Sequence, residues 1–228
     1  MSMLHLLAAL MPKGAAPSLT WTFVGSCQST GTALDFSALS AGTIQANDVA
    51  LFIDYAGAAG PPTTVTPSGF TNIVNTSGET EPGARAMASW KKLAGSEASV
   101  TGMSASTGGT GADNNKLGLV FRPSIDFTTL TVSTPQNSGI TTANPAAITV
   151  DPSAETIPVV LIGIGATYQG TVAFSTASPA FDAQIAISSD DDLRIGYKIY
   201  NSSPLSHSID INDLGSCNWL AGFYFEAL

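Results

Sequence analysis

Charge is scarce in this 228-residue chain: only 11% of its residues are Asp, Glu, Lys or Arg, against about 25% in ordinary globular domains. Eight Lys and Arg against 17 Asp and Glu leave a formal net charge of −9. That balance argues against a phosphate backbone as ligand, which needs clustered cations, so no nucleic acid is expected as a partner. Two cysteines are too few for a disulfide framework or a zinc site, and no cofactor is expected. Past residue 11 no stretch carries a helical apolar stripe, apart from a single turn near Ala33–Ser40. No apolar run reaches bilayer length, so no membrane span is expected. With 44% hydrophobic residues, the chain still has ample material for a folded core.

What is present is period-two alternation. Leu19, Trp21 and Phe23 point one way and Thr20, Thr22 and Ser26 the other. Leu193, Ile195, Tyr197 and Ile199 alternate with Arg194, Gly196, Lys198 and Tyr200, and His207, Ile209 and Ile211 with Ser208, Asp210 and Asn212. Trp219, Ala221, Phe223 and Phe225 alternate with Leu220, Gly222, Tyr224 and Glu226. One face in a core and one in solvent is the expectation for such strands. Val49–Tyr55 and Val159–Ile164 are apolar on both faces and read as central strands. Stretches rich in Gly, Pro, Asn and Ser separate them, Ser104–Asn115 being the longest tip.

The order of elements repeats. Val49–Tyr55 is echoed by Val159–Ala166, and Pro67-Ser68-Gly69-Phe70 by Pro179-Ala180-Phe181. Ala84–Leu93 is echoed by Leu193–Tyr200, Leu117–Phe121 by Trp219–Phe225, and Leu19–Cys27, more faintly, by Leu130–Ser133. Such self-similarity signals repeated units. The expected fold is all-β: an antiparallel β-sandwich of jelly-roll or Greek-key type over residues 18–228, with pseudo-repeat halves near 18–122 and 129–228. Each half has too few strands for a core of its own, so one pseudo-symmetric domain is expected.

Residues 1–17 read as an apolar N-terminal arm and linker. Met1–Met11 has no basic start, which argues against a secretory leader. Its Met3, Leu4, Leu6, Leu7, Leu10 and Met11 are the candidate assembly contacts, since an apolar terminus needs a surface to lie on. Cys27 and Cys217, each in Gly-Ser-Cys near opposite ends of the chain, are either two buried thiols or a disulfide between neighbouring first and last strands.

Chemistry is hard to nominate. Ser206, His207 and Asp210 invite a triad reading, but adjacent strand residues face opposite ways, and no Gly-x-Ser-x-Gly elbow is present. Asp190, Asp191 and Asp192 form the densest carboxylate run; its spacing lacks the pattern of a calcium loop, and a solvated turn is the expectation. Trp21, Trp90 and Trp219 sit in apolar alternation and read as core. Tyr168, Tyr197 and Tyr200 are the alternative source of a sugar-stacking platform. No catalytic, cofactor or metal residue is assigned, and an enzyme is not expected.

Asn47-Asp48-Val49-Ala50-Leu51-Phe52, then Pro67-Ser68-Gly69-Phe70-Thr71, Trp90-Lys91-Lys92 and Glu97-Ala98-Ser99-Val100-Thr101 together resemble a set of bacteriophage virion proteins. Those carry Gly-Asp before a hydrophobic strand, Pro-Ser-Gly-Trp-Thr, and a tyrosine-lysine strand followed by an acidic turn. This chain has Asn47 for the Gly and Phe70 for the Trp. The likeness covers about 45–122, with a fainter copy toward the C-terminus. It implies a structural β-sandwich exposed on a virion, as capsid decoration or cement, fibre or tail component, assembled in a host cytoplasm. It also implies other virion proteins as partners and a homo-oligomer, trimeric or higher. The alternative is a carbohydrate-binding adhesin that recognises a host surface glycan.

Overall fold

Hydrogen-bonded ladders account for nearly all the regular structure in the computed structural model, which describes residues 18–56, 65–77, 84–102, 114–188, 191–213 and 215–228. The first half supplies β1 (Trp21–Ser29), β2 (Ala33–Asp35), β3 (Ala46–Ala56), β4 (Thr71–Ser77), β5 (Arg85–Ala94), β6 (Ser99–Thr101) and β7 (Asn114–Pro123). The second supplies β8 (Leu130–Val132), β9 (Gln136–Thr141), β10 (Ile148–Val150), β11 (Val159–Tyr168) and β12 (Val172–Ser178). It continues with β13 (Ala183–Ser188), β14 (Asp191–Tyr200), β15 (His207–Asp213) and β16 (Ser216–Ala227). The chain is all-β and every ladder is antiparallel.

Each half builds one large sheet, and the two sheets share a strand order. The first runs β1-β7-β3-β5-β4 and the second β8-β16-β11-β14-β13, with β9 also on β16. Register makes the correspondence residue by residue. Leu51 pairs with Leu119 and Trp90, as Ile162 pairs with Phe223 and Tyr197. Phe23 of β1 lies opposite Phe121, as Val132 of β8 lies opposite Phe225.

The sheets pack face to face as a sandwich. Leu51, Ile53, Leu119 and Phe121 meet Ile162, Ile164, Phe223 and Phe225 in one core cluster. Trp21 and Trp219 are 1% and 0% exposed there, and burying each such side chain contributes a few kcal/mol. Their indole N–H groups donate to the Pro158 carbonyl and to Asn137 Oδ1. A buried polar edge is thus satisfied while the ring fills volume.

The outer faces of β3 and β11 are covered, as their two-sided apolar pattern implies, and so is the face of β16 expected in solvent, where Leu220 is fully buried. A second layer covers each one. β2 and β6 pair with each other beside the first sheet, and Leu34 and Phe36 join Phe52, Met87 and Val120 in a second cluster. Over the other sheet, β10-β15-β12 forms a three-stranded sheet whose Val150, Ile209 and Ile211 pack on Leu161 and Leu220. Period two reports only that faces differ, so it cannot tell solvent from a second layer. The helical turn expected near Ala33–Ser40 is instead β2 followed by a turn in which Ala38 N–H donates to the Asp35 carbonyl.

Backbone geometry explains two motif residues. Asn47 has φ +72° at a bulge opening β3, a left-handed position that favours Gly or Asn. Gly69 has φ +78° in a turn closed by Phe70 N–H donating to the Pro67 carbonyl, where a type II geometry requires glycine.

Candidate functional site

The buried ionisable groups are mostly bound into the ladders. Asp48 is fully buried and takes Arg122 Nε at 2.7 Å and Nη2 at 2.8 Å, a bidentate clamp between the start of β3 and the end of β7. Arg122 Nη2 also donates to the Thr43 carbonyl, and its guanidinium is held above its ordinary value by Asp48. Lys116 Nζ lies 3.3 Å from Asp54 Oδ1 with both side chains fully buried. Burial pushes the Lys116 ammonium down and Asp54 partly holds it up. Gly102 passes directly over this pair, leaving no room for a Cβ. Glu97 accepts N–H bonds from Ala94, Gly95 and Ser96 and pairs with Lys91 at 3.1 Å. Burial raises its pKa, but these bonds outweigh it and leave the carboxyl below its usual range.

The residues singled out from sequence disperse. His207 is buried and its Nε2 lies 2.6 Å from Tyr200 Oη; Phe181 stacks on its ring. Asp210 accepts from the Ile211 N–H, so the ring's partner is a tyrosine rather than a serine or carboxylate. Burial, with Lys198 nearby, pushes the imidazole down to about 4, against a weaker upward pull from Asp182. Asp190 and the side chain of Asp191 lie outside the described residues. Asp192 is turned inward, accepting the Val172 N–H at 2.9 Å, so the solvated-turn expectation is wrong for it. Tyr197 and Tyr200 are 7% and 8% exposed, and with Tyr168 they make no open platform. Residues 1–17, with Met3, Leu4, Leu6, Leu7, Leu10 and Met11, lie outside the described residues.

Of the two readings of the cysteines, the structure bears out buried thiols: Cys27 and Cys217 are both buried and form no disulfide. Cys27 sits under β2 in the outer cluster of the first sheet and Cys217 in the central core, so a whole layer separates their surroundings. Burial, helped by Asp35, pushes the Cys27 thiol up to about 12, which makes it inert at neutral pH.

One carboxylate pair is new. Glu226 and Glu155 act on each other: burial, followed by Glu155, raises the Glu226 pKa. Tyr224 Oη donates to Glu155 Oε1 at 2.6 Å. Nothing in sequence separation pairs residues 155 and 226.

An open groove with an uncharged lining lies where the β4 edge of one sheet faces the β8–β9 edge of the other. It holds about 390 Å³ and is lined by Ile73, Trp90, Leu130 and Val132 below, with Thr71, Asn72, Ser133 and Thr134 among its rim residues. Trp90 is half-buried, unlike the two other tryptophans, and among the described residues no aromatic ring stacks on it. Alternation placed it on the inner face, correctly, but could not show that the sandwich opens there. Asn72 Nδ2 donates to Thr66 Oγ1, and Ser133 Oγ accepts the Tyr224 N–H, leaving the hydroxyl proton for another partner. No protein-family model matches the chain, and no curated protein or solved structure does either.

Proposed function

We propose that the chain is a non-enzymatic structural β-sandwich of a bacteriophage or phage-like particle, a capsid decoration, fibre or tail component fastened through its N-terminal arm. The observation that carries this reading is the use made of four motif residues, Asn47, Asp48, Gly69 and Glu97, which hold turns and strand ends. Asn47 supplies a left-handed φ, Asp48 clamps two strands through Arg122, Gly69 makes a turn, and Glu97 caps one. The sparse charge of the chain and the apolar arm support the same reading.

The arm supplies the attachment. Its Met3, Leu4, Leu6, Leu7, Leu10 and Met11 each contribute roughly 1.5–3 kcal/mol if fully buried against a neighbouring subunit. Deleting residues 1–11 should leave the urea unfolding midpoint unchanged while abolishing co-sedimentation with particles and reducing a trimer or higher oligomer to monomer in light scattering. Undiminished co-sedimentation would sink the proposal. The alternative, a carbohydrate-binding adhesin, is favoured by one observation, the groove at Trp90.

A further inference from the structure

The groove has a counterpart in the same molecule, and the counterpart is full. By register Tyr197 stands where Trp90 stands, since Ile162 pairs with Tyr197 as Leu51 pairs with Trp90. Phe23 likewise corresponds to Val132, and Trp21, opposite Pro123, corresponds to Leu130, opposite Ala227. In the filled copy Phe23 stacks on Tyr197 with centroids 4.6 Å apart and planes 27° from parallel. In the open copy two aromatics are replaced by aliphatics, and Trp90 keeps no ring above it among the described residues. The fold therefore holds one aromatic floor with its flat cover built in and one with the cover left out.

We propose that the Trp90 groove binds one ring of a neutral saccharide, which takes the place that Phe23 occupies over Tyr197. A pyranose has an apolar C–H face and a rim of hydroxyls. The indole face is electron-rich and attracts the weakly positive C–H groups, while ring hydroxyls reach the rim. Thr71, Ser133 and Thr134 supply hydroxyls there, and the lining residues include no charged side chain. Few placed polar groups around an apolar floor is the usual make-up of a small-ligand site. Those rim groups choose sugar over an aromatic side chain of a partner protein, which has at most one hydroxyl to offer them. Their neutrality chooses uncharged sugars over acidic ones, which the net charge of −9 also repels. The inference goes beyond the structural role proposed above and holds wherever the chain is mounted.

The full chain is applied to an array of neutral and acidic glycans, and the best neutral oligosaccharide is titrated by tryptophan fluorescence. Retention of neutral glycans is expected, with a weakening of about tenfold or more for Trp90→Ala. Val132→Phe should abolish binding by restoring the missing cover while keeping or raising the urea midpoint. Thr71→Ala, on the exposed rim and paired with Trp90, should weaken binding with the fold intact, and so keeps the test decisive if a core variant fails to fold. The chain lacking residues 1–11 should bind like the full chain, which separates this test from that of the arm. No neutral glycan retained, a hit insensitive to both Val132→Phe and Thr71→Ala, or retention of N-acetyl-tyrosinamide in place of sugar would each overturn the proposal.

Discussion

At one pair of matching positions the two halves made opposite choices. In the first, Asp54 faces Lys116 across β3 and β7, a fully buried ion pair. In the second, Gly165 faces Leu220 across β11 and β16, and Leu220 packs into carbon under the outer sheet. Strand order and register survive both solutions. The scaffold is therefore specified by ladder order and by which face is apolar, and the chemistry at a given rung is free to vary.

The sharpest way to break the comparison is to remove one partner of the pair. Lys116→Ala leaves Asp54 as a buried charge without its ammonium, and should cost about 3–5 kcal/mol in urea unfolding. Replacing both, as Asp54→Gly with Lys116→Leu, copies the second half and should recover most of that loss, because apolar replacements of buried pairs are often neutral. A double variant as unstable as the single one would mean that the halves are not interchangeable at this rung.

The second layers differ in acid response. Over the first sheet the cover is Leu34 and Phe36, packed on the Cys27 thiol of β1. Over the second, the cover strand β15 buries His207 beside Tyr200, with Lys198 and Asp182 acting on it at longer range. Its folded value of about 4 lies below the roughly 6.5 of an unfolded chain. Between those values the unfolded state binds the extra proton, so stability is held above pH 6.5 and lost as pH falls toward 4. The loss should reach about 2–3 kcal/mol, and His207→Phe should flatten it. Hydrogen exchange over that window should accelerate in β10, β12 and β15 while β2 and β6 stay protected.

Much of this architecture was legible in the order of residues. Alternation in Leu193–Ile199 and Trp219–Phe225 gave the core faces correctly because apolar side chains at period two have only one place to go. The repeat was legible because Val49–Tyr55 and Val159–Ala166 are central strands, apolar on both faces. What stayed hidden depends on relations between distant residues. The outer layers, the Glu155–Glu226 pair and the mouth at Trp90 are set by where β8, β10 and β15 cross over, which no local pattern records. Val132 carries the missing cover of the groove, yet beside Phe23 it means nothing until register aligns the two.

The smallest effect tests how each half fills the centre of its outer face. In the first half that place is filled from the strand itself: Phe52, paired with Ser89, meets Phe70 edge-on at 6.0 Å. In the second half the matching residues are Gly163 and Gly196, and Phe181, from the turn before β13, lies over both. A Cβ added at Gly163 would stand 2.6 Å from Phe181 Cζ, inside contact distance, so Gly163→Ala should destabilise by about 1–3 kcal/mol through overpacking. The same change with Phe181→Ala already present should cost much less, since the ring it strikes is gone. A coupling of about 1 kcal/mol or more in that double-mutant cycle identifies Phe181 as the second half's substitute for Phe52. Strict additivity would instead place the strain of Gly163→Ala on Ile209, whose Cδ1 lies 3.1 Å from the same point, and would make the bare glycines an accommodation to the outer sheet rather than to the turn.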